Sequence, residues 1–114
     1  MAGIFGHLFR RPAAGPRWVE VDELRQHLAG VAPPFVLDVR GPQEFEGPLG
    51  HIDGARNIPL DELDPRCGEI AAGRPIVCVC LTDKRSAAAA AQLTEAGVSD
   101  VAVLRGGMKA WRER

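Results

Sequence analysis

Pro75-Ile76-Val77-Cys78-Val79-Cys80-Leu81-Thr82-Asp83-Lys84-Arg85-Ser86 is the stretch on which the fold and chemistry of this 114-residue chain turn. Its first half, β-branched residues and cysteines behind a proline, reads as a buried strand. From Ser86 to Ala96 the run Ala87–Ala91 followed by Leu93 reads as a helix, since Ala and Leu are the best helix formers. A cysteine therefore closes the strand, and two cations stand at the far end of the turn. Residues 81–86 contain no proline, so each backbone N–H is free to turn inward. Such a cradle, set before a helix N-terminus, favours an anion at its centre. The thiolate is the nucleophilic form of cysteine, and Lys84 and Arg85 add positive charge near Cys80 while Asp83 subtracts from it. On these residues alone, Cys80 fits either a nucleophile or a thiol packed in the core.

Working outward, Arg17–Val21 alternates as a short first strand would, and Asp22 is a candidate N-cap for a helix to about Leu28, stopped by Gly30. Phe35–Arg40 is an apolar strand interrupted by one carboxylate, Asp38, which places it inside a sheet. Residues 41–59 are rich in Gly, Pro and charge and read mostly as loop, with Phe45 as an anchor and a short strand near Ala55–Ile58. Helix-compatible residues between Leu60 and Ala72 are broken into pieces by Pro65 and Gly68. Asp100–Leu104 supplies a further strand, and Gly106-Gly107 leads into a closing helix with Ala110 and Trp111. Strands alternating with helices predict an α/β domain with a mainly parallel central sheet of about five strands. Sites in such folds lie beyond the carboxyl ends of the strands, where Asp38, Arg40, Cys80 and Arg105 fall.

Composition sets bounds on this. A chain of this length with 46% hydrophobic and 25% charged residues is one ordinary globular domain. The net charge of −1 gives no support to a nucleic-acid partner. Cys67, Cys78 and Cys80 form an odd set without secreted-scaffold or zinc spacing, and His7, His27 and His51 lie far from them. No metal or other cofactor is expected, and free thiols fit a reducing, cytoplasmic setting. Residues 1–16 read as a flexible extension, and the opening apolar run is too short to span a membrane. Residues 17–114 then form the domain.

Leu37-Asp38-Val39-Arg40, Glu44-Phe45 and Gly50-His51-Ile52-Asp53-Gly54-Ala55-Arg56-Asn57-Ile58-Pro59-Leu60 resemble the first half of a rhodanese domain. The second half is similar too: a strand ending in cysteine, the loop Cys80–Ser86, then Leu104-Arg105-Gly106-Gly107 and Ala110-Trp111. The likeness runs from about Trp18 to Trp111 with its motifs in order. It implies a single-domain sulfurtransferase in which Cys80 takes a sulfane sulfur from thiosulfate or a persulfide or polysulfide donor and passes it to cyanide or a thiol. The donor is then a small sulfur compound or a persulfide-donating protein. The resemblance further implies that the amides of Leu81, Thr82, Asp83, Lys84 and Arg85, with Ser86 behind them, surround the persulfide. Asp38 and Arg40 support the loop, with Arg40 and Glu44 as an expected ion pair.

Two positions depart from the family pattern: Asp83 stands where glycine is common and a positive φ is easy, and Asp53 where proline is frequent. Phosphatase and arsenate-reductase relatives usually carry Cys-x5-Arg, whereas Cys80 to Arg85 is the shorter Cys-x4-Arg, a tighter ring suited to one bound sulfur. A non-catalytic interaction or sulfur-carrier module is the alternative of a different class. Cys78 sits two residues from Cys80 on the same strand face, about 7 Å away, and reads as core and not as a disulfide partner. His51 reads as structural.

Overall fold

The computed structural model describes residues 16–71 and 73–114. The expectation for the N-terminal extension therefore lies almost wholly outside the described residues. Five strands, β1 (Trp18–Val19), β2 (Phe35–Asp38), β3 (Arg56–Asn57), β4 (Ile76–Val79) and β5 (Val101–Leu104), form one sheet in the order β1-β5-β4-β2-β3. Every pairing is parallel. This is a single compact α/β domain. From β2 the chain steps outward to β3, and the next strand, β4, lies on the other side of β2, so the strand order reverses above β2 and β4. Ligands of open α/β sheets bind at that point.

Alternation along β4 sorts the core into two layers. Val77 and Val79 face one side with Val36, Ala102 and Leu104, under α1 (Val21–Leu28) and α5 (Gly107–Glu113). Ile76, Cys78 and Cys80 face the other, with Leu37, Val101 and Val103, under α4 (Lys84–Glu95). Ala89 and Ala90 are buried there, so the alanine run brings the helix backbone close to the sheet.

The first helix starts earlier than expected. Val21 is buried as its first residue, and the N-cap is Glu20, whose backbone N–H donates to Glu23 Oε1 at 3.0 Å; Asp22 is exposed inside the first turn. β2 stops at Asp38 because the Arg40 N–H turns to Asp38 Oδ1 (3.1 Å) instead of the sheet. In the expected loop the structure has one helical turn, α2 (Pro42–Phe45), with proline at its start and Glu44 Oε1 accepting the Gly41 N–H at 3.2 Å. Residues 60–69 form two 3₁₀ turns flanking α3 (Leu63–Arg66). Pro65 sits inside α3, in the first turn, where its missing N–H costs no helical bond. Helix α4 begins at Lys84, two residues before the expected start, and Gly97 (φ +93°) follows its end.

Candidate active site

Cys80 directly follows β4, with 1% of its surface exposed. Two groups of Ser86 meet its sulfur: the backbone N–H donates to Sγ at 3.3 Å, and the hydroxyl lies 3.3 Å from it. Ser86 is the third residue of α4, so an N–H left unpaired by the start of the helix points at the thiol. Ser86, expected behind the cradle amides of Leu81 to Arg85, is thus the residue whose amide bonds the sulfur.

The orientation of the others follows from the opposite side of the loop. The Cys80 carbonyl accepts the Met108 N–H (2.9 Å) and the Leu81 carbonyl accepts the Lys109 N–H (3.0 Å), both from the first turn of α5. The Thr82 carbonyl joins them around Gly107, where a Cβ would overlap all three oxygens. In a trans peptide the C=O and the following N–H point in opposite directions, and no described peptide is cis. With three carbonyls turned to α5, the N–H groups of Leu81, Thr82 and Asp83 turn away from it, toward the face that holds the Cys80 side chain. One helix N-terminus thus collects the loop's carbonyls and another, α4, addresses its sulfur.

The rim is charged but paired. Arg85 donates from Nη1 to Glu44 Oε1 (2.7 Å) and from Nη2 to Glu44 Oε2 (3.0 Å). Those hydrogen bonds hold the Glu44 carboxyl down at about 2, against the upward pull of its partial burial. The Arg85 guanidinium is held above its ordinary value by the same bonds. Arg40 does not pair with Glu44, contrary to the expectation. It is fully buried and bonds through Nε and Nη2 to both oxygens of Asp38 (2.8–3.2 Å), and through Nη1 and Nη2 to the Glu44 (3.2 Å) and Gly50 (2.7 Å) carbonyls. Glu44 was claimed by the wrong arginine because the sequence does not show which strand end faces α2. Asn57 completes the support, donating to the Asp38 (3.0 Å) and Arg40 (2.8 Å) carbonyls.

Leu81, Thr82 and Lys84 are exposed, and Asp83 is half-buried at the N-cap of α4. Asp83 adopts φ −152°, so this loop needs no left-handed residue at its fourth position. Arg105 does not join the others: it pairs with Glu20 (2.7 Å) and lies over the Trp18 ring at the β1 edge. His51 stacks on Phe45 with ring centroids 3.6 Å apart and donates from Nδ1 to the Phe45 carbonyl (2.9 Å). Cys78 is wholly buried, and burial pushes its thiol up to about 12. Cys67 is exposed near the amino ends of β4 and β5, the end of the sheet away from Cys80. Glu44 was expected only as a partner of Arg40, and Asn57 and Gly107 stood only within motifs of the resemblance and, for Gly107, a helix start; none was expected to hold the loop itself.

With this geometry in place, residues 20–114 match the model of the rhodanese-like domain family. The chain belongs to that family. It is 45% identical over 83 residues to the uncharacterised protein YqhL of Bacillus subtilis, covering 73% of this chain and 64% of that one, so it spans somewhat under two thirds of that relative. It is 40% identical over 78 residues to the thiosulfate sulfurtransferase GlpE of Shewanella oneidensis, covering 68% and 75%. Among solved structures, a rhodanese-like domain protein from Staphylococcus aureus superposes with a TM-score of 0.75 at 30% identity over 82% of this chain and 89% of that one. No helix among the described residues is long and apolar enough to cross a membrane.

Proposed function

We propose that this rhodanese-like domain, residues 17–114, is a sulfurtransferase that carries sulfane sulfur as a persulfide on Cys80. The observation that carries this reading is the Cys80 sulfur lying at the base of a loop whose carbonyls are taken by α5, leaving N–H groups for the sulfur side. In the first step the Cys80 thiolate attacks the outer sulfur of thiosulfate. The new Cys80–S bond forms as the bond to the sulfonate sulfur breaks, and sulfite leaves with that electron pair. A persulfide donor reacts in the same way with a thiolate as leaving group. In the second step cyanide or a thiolate attacks the outer sulfur and the electron pair returns to Cys80 Sγ, giving thiocyanate or a new persulfide. The transfer is thereby split into two displacements at one sulfur. Fixed backbone dipoles stabilise the anion at each stage without needing to reorient.

The Ser86 N–H holds the inner sulfur, and the N–H groups of Leu81, Thr82 and Asp83 face the outer one. Arg85, engaged at both Nη atoms by Glu44, fixes the rim of the loop, and the Cys80–Arg85 ring is one residue shorter than the Cys-x5-Arg of phosphatase relatives, which argues against phosphatase chemistry at this thiol. Asp38 and Arg40 hold the segment that carries Glu44. Three free cysteines suit the reducing cytoplasm. Intact-mass analysis after incubation with thiosulfate should find one added sulfur on the reduced protein, removed by cyanide and absent from Cys80→Ala. If the wild type stays unmodified with thiosulfate, polysulfide and glutathione persulfide alike, the proposal is wrong.

A further inference from the structure

Among the described residues every arginine but three forms an ion pair with a carboxylate. The three are Arg25, Arg74 and Arg112, and all of them line one groove of about 580 Å³. They come from separate parts of the chain: the last turn of α1, the turn before β4, and α5. Cys80 and its loop are not part of this lining.

Each guanidinium is fixed in place by main-chain carbonyls. Arg25 Nη2 donates to the Trp111 carbonyl at 2.9 Å, with Cζ 3.9 Å from the centre of the Trp111 ring. Arg74 Nη2 donates to the Pro33 and Pro34 carbonyls at 3.0 and 3.1 Å. Arg112 Nε donates to the Leu49 carbonyl at 2.7 Å. A guanidinium has five N–H donors, so each keeps several in reserve while its position is already set. Arg25 Nη2 also lies 3.4 Å from a main-chain oxygen of Arg114, whereas the peptide carbonyl partners of Arg74 and Arg112 leave their charges uncancelled, and Asp53 is the one carboxylate side chain in the lining. Leu28 and Pro33, both half-buried, add apolar surface to the groove. Val31, in the turn between the lining residues Ala29 and Pro33, is entirely exposed.

We infer that this groove is a docking site for an acidic peptide segment of a partner protein, one that alternates Asp or Glu with large apolar residues. Planar forks match carboxylates in two-bond geometry, and ordered guanidiniums lose little freedom on engaging them. A single phosphate or carboxylate is too small for the space: about 580 Å³ is near twenty times a water's share of liquid volume, about 30 Å³. It falls within the range of sites that enclose a short peptide or drug-sized molecule. Three cations drawn from three chain segments suit carboxylates spaced along a strand, and the half-buried Leu28 and Pro33 suit the apolar residues between them.

The test titrates acetyl-Glu-Leu-Glu-Glu-Leu-Glu-amide into the full ¹⁵N-labelled chain and follows amide shifts. Saturable shifts should be confined to residues 25–34, 51–54, 74 and 111–112, leaving the Cys80–Ser86 loop unmoved. Because the attraction is between exposed charges, affinity should fall several-fold between about 20 and 200 mM salt. Arg74→Gln and Arg112→Gln should each weaken binding about 3-fold or more and together at least about 10-fold, each exposed charge contact contributing up to about 1 kcal/mol. Arg56→Gln, a paired arginine elsewhere, should bind as the wild type does. Native-like spectra of the two variants separate lost contacts from lost fold. The inference is overturned by no shifts at millimolar peptide, by undiminished binding in a folded Arg74→Gln/Arg112→Gln chain, or by equal shifts from inorganic phosphate or the Lys-for-Glu peptide.

Discussion

Gly107→Ala tests the arrangement of the loop most directly. Gly107 has φ +57°, and its missing side chain is where the carbonyls of Cys80, Leu81 and Thr82 converge. The left-handed backbone alone costs an alanine about 1 kcal/mol or somewhat more. Forcing a methyl group against three fixed oxygens adds about 1–3 kcal/mol if the loop stays. If it moves away, the Met108 and Lys109 N–H bonds are lost instead, at about 1 kcal/mol each. Either route gives a total of about 2–4 kcal/mol. Gly97→Ala isolates the backbone part, since Gly97 has φ +93° and nothing within 4 Å of an added Cβ. Gly68→Ala, with open space and no positive φ, should be neutral or slightly stabilising. Urea unfolding of the three variants should rank them in that order. The same displacement should slow sulfur transfer to Cys80 about 100-fold, the cost of roughly an ångström of misplacement in a reacting group. Were Gly107→Ala no less stable than Gly97→Ala, and as quick to take up sulfur as the wild type, the carbonyls would not be gathered at α5 and the inward N–H groups would lose their basis.

Asp38→Asn should destabilise by about 3–5 kcal/mol in chemical denaturation, because it leaves the buried Arg40 guanidinium without its counter-charge. Glu44→Gln should cost under about 1 kcal/mol at neutral pH, since both partners are more than a third exposed and solvent screens the pair. The folded Glu44 pKa of about 2 lies below its ordinary 4.5, so the pair's contribution is fully present above about 4.5 and fades as pH falls toward 2. Wild-type and Glu44→Gln stabilities, measured from pH 6 down to 2, should therefore converge at the acid end. In native protein at pH 8, peptide mapping after brief iodoacetamide treatment should find exposed Cys67 modified and buried Cys78 untouched.

The sheet was legible because its signals are local. Ile76–Val79 and Val101–Leu104 are buried on both faces and so appear as unbroken apolar runs, as central parallel strands must. The position of Cys80 was legible for a related reason: the apolar run of β4 stops just before it and a helix starts at Lys84. The four residues of α2 and the pairing of Glu44 were not legible. One helical turn carries too little periodicity to register, and a carboxylate can reach Arg40 or Arg85 from the same sequence position, depending on how the chain folds between them. Gly107 was hidden in another way. A glycine shows in sequence that something is missing a side chain, but not which distant carbonyls occupy the space.

Pairing also explains why the site can be charged without depending on charge. Asp38 neutralises Arg40 and Glu44 neutralises Arg85, so the two arginines nearest the loop contribute position more than field. Lys84 and Asp83, adjacent at the start of α4, oppose each other. A net positive pocket would hold any small anion, sulfite product included, and would slow its release. Backbone N–H groups act over a bond's length and reward only an anion at the end of the Cys80 side chain. For the proposed persulfide, the ion pairs would hold the loop in place and its backbone N–H groups would favour negative sulfur on Cys80. This division of labour predicts that salt should disturb the rim more than the sulfur, because screening acts on exposed charges and not on the hydrogen bonds that the buried Ser86 makes to the buried Cys80 sulfur.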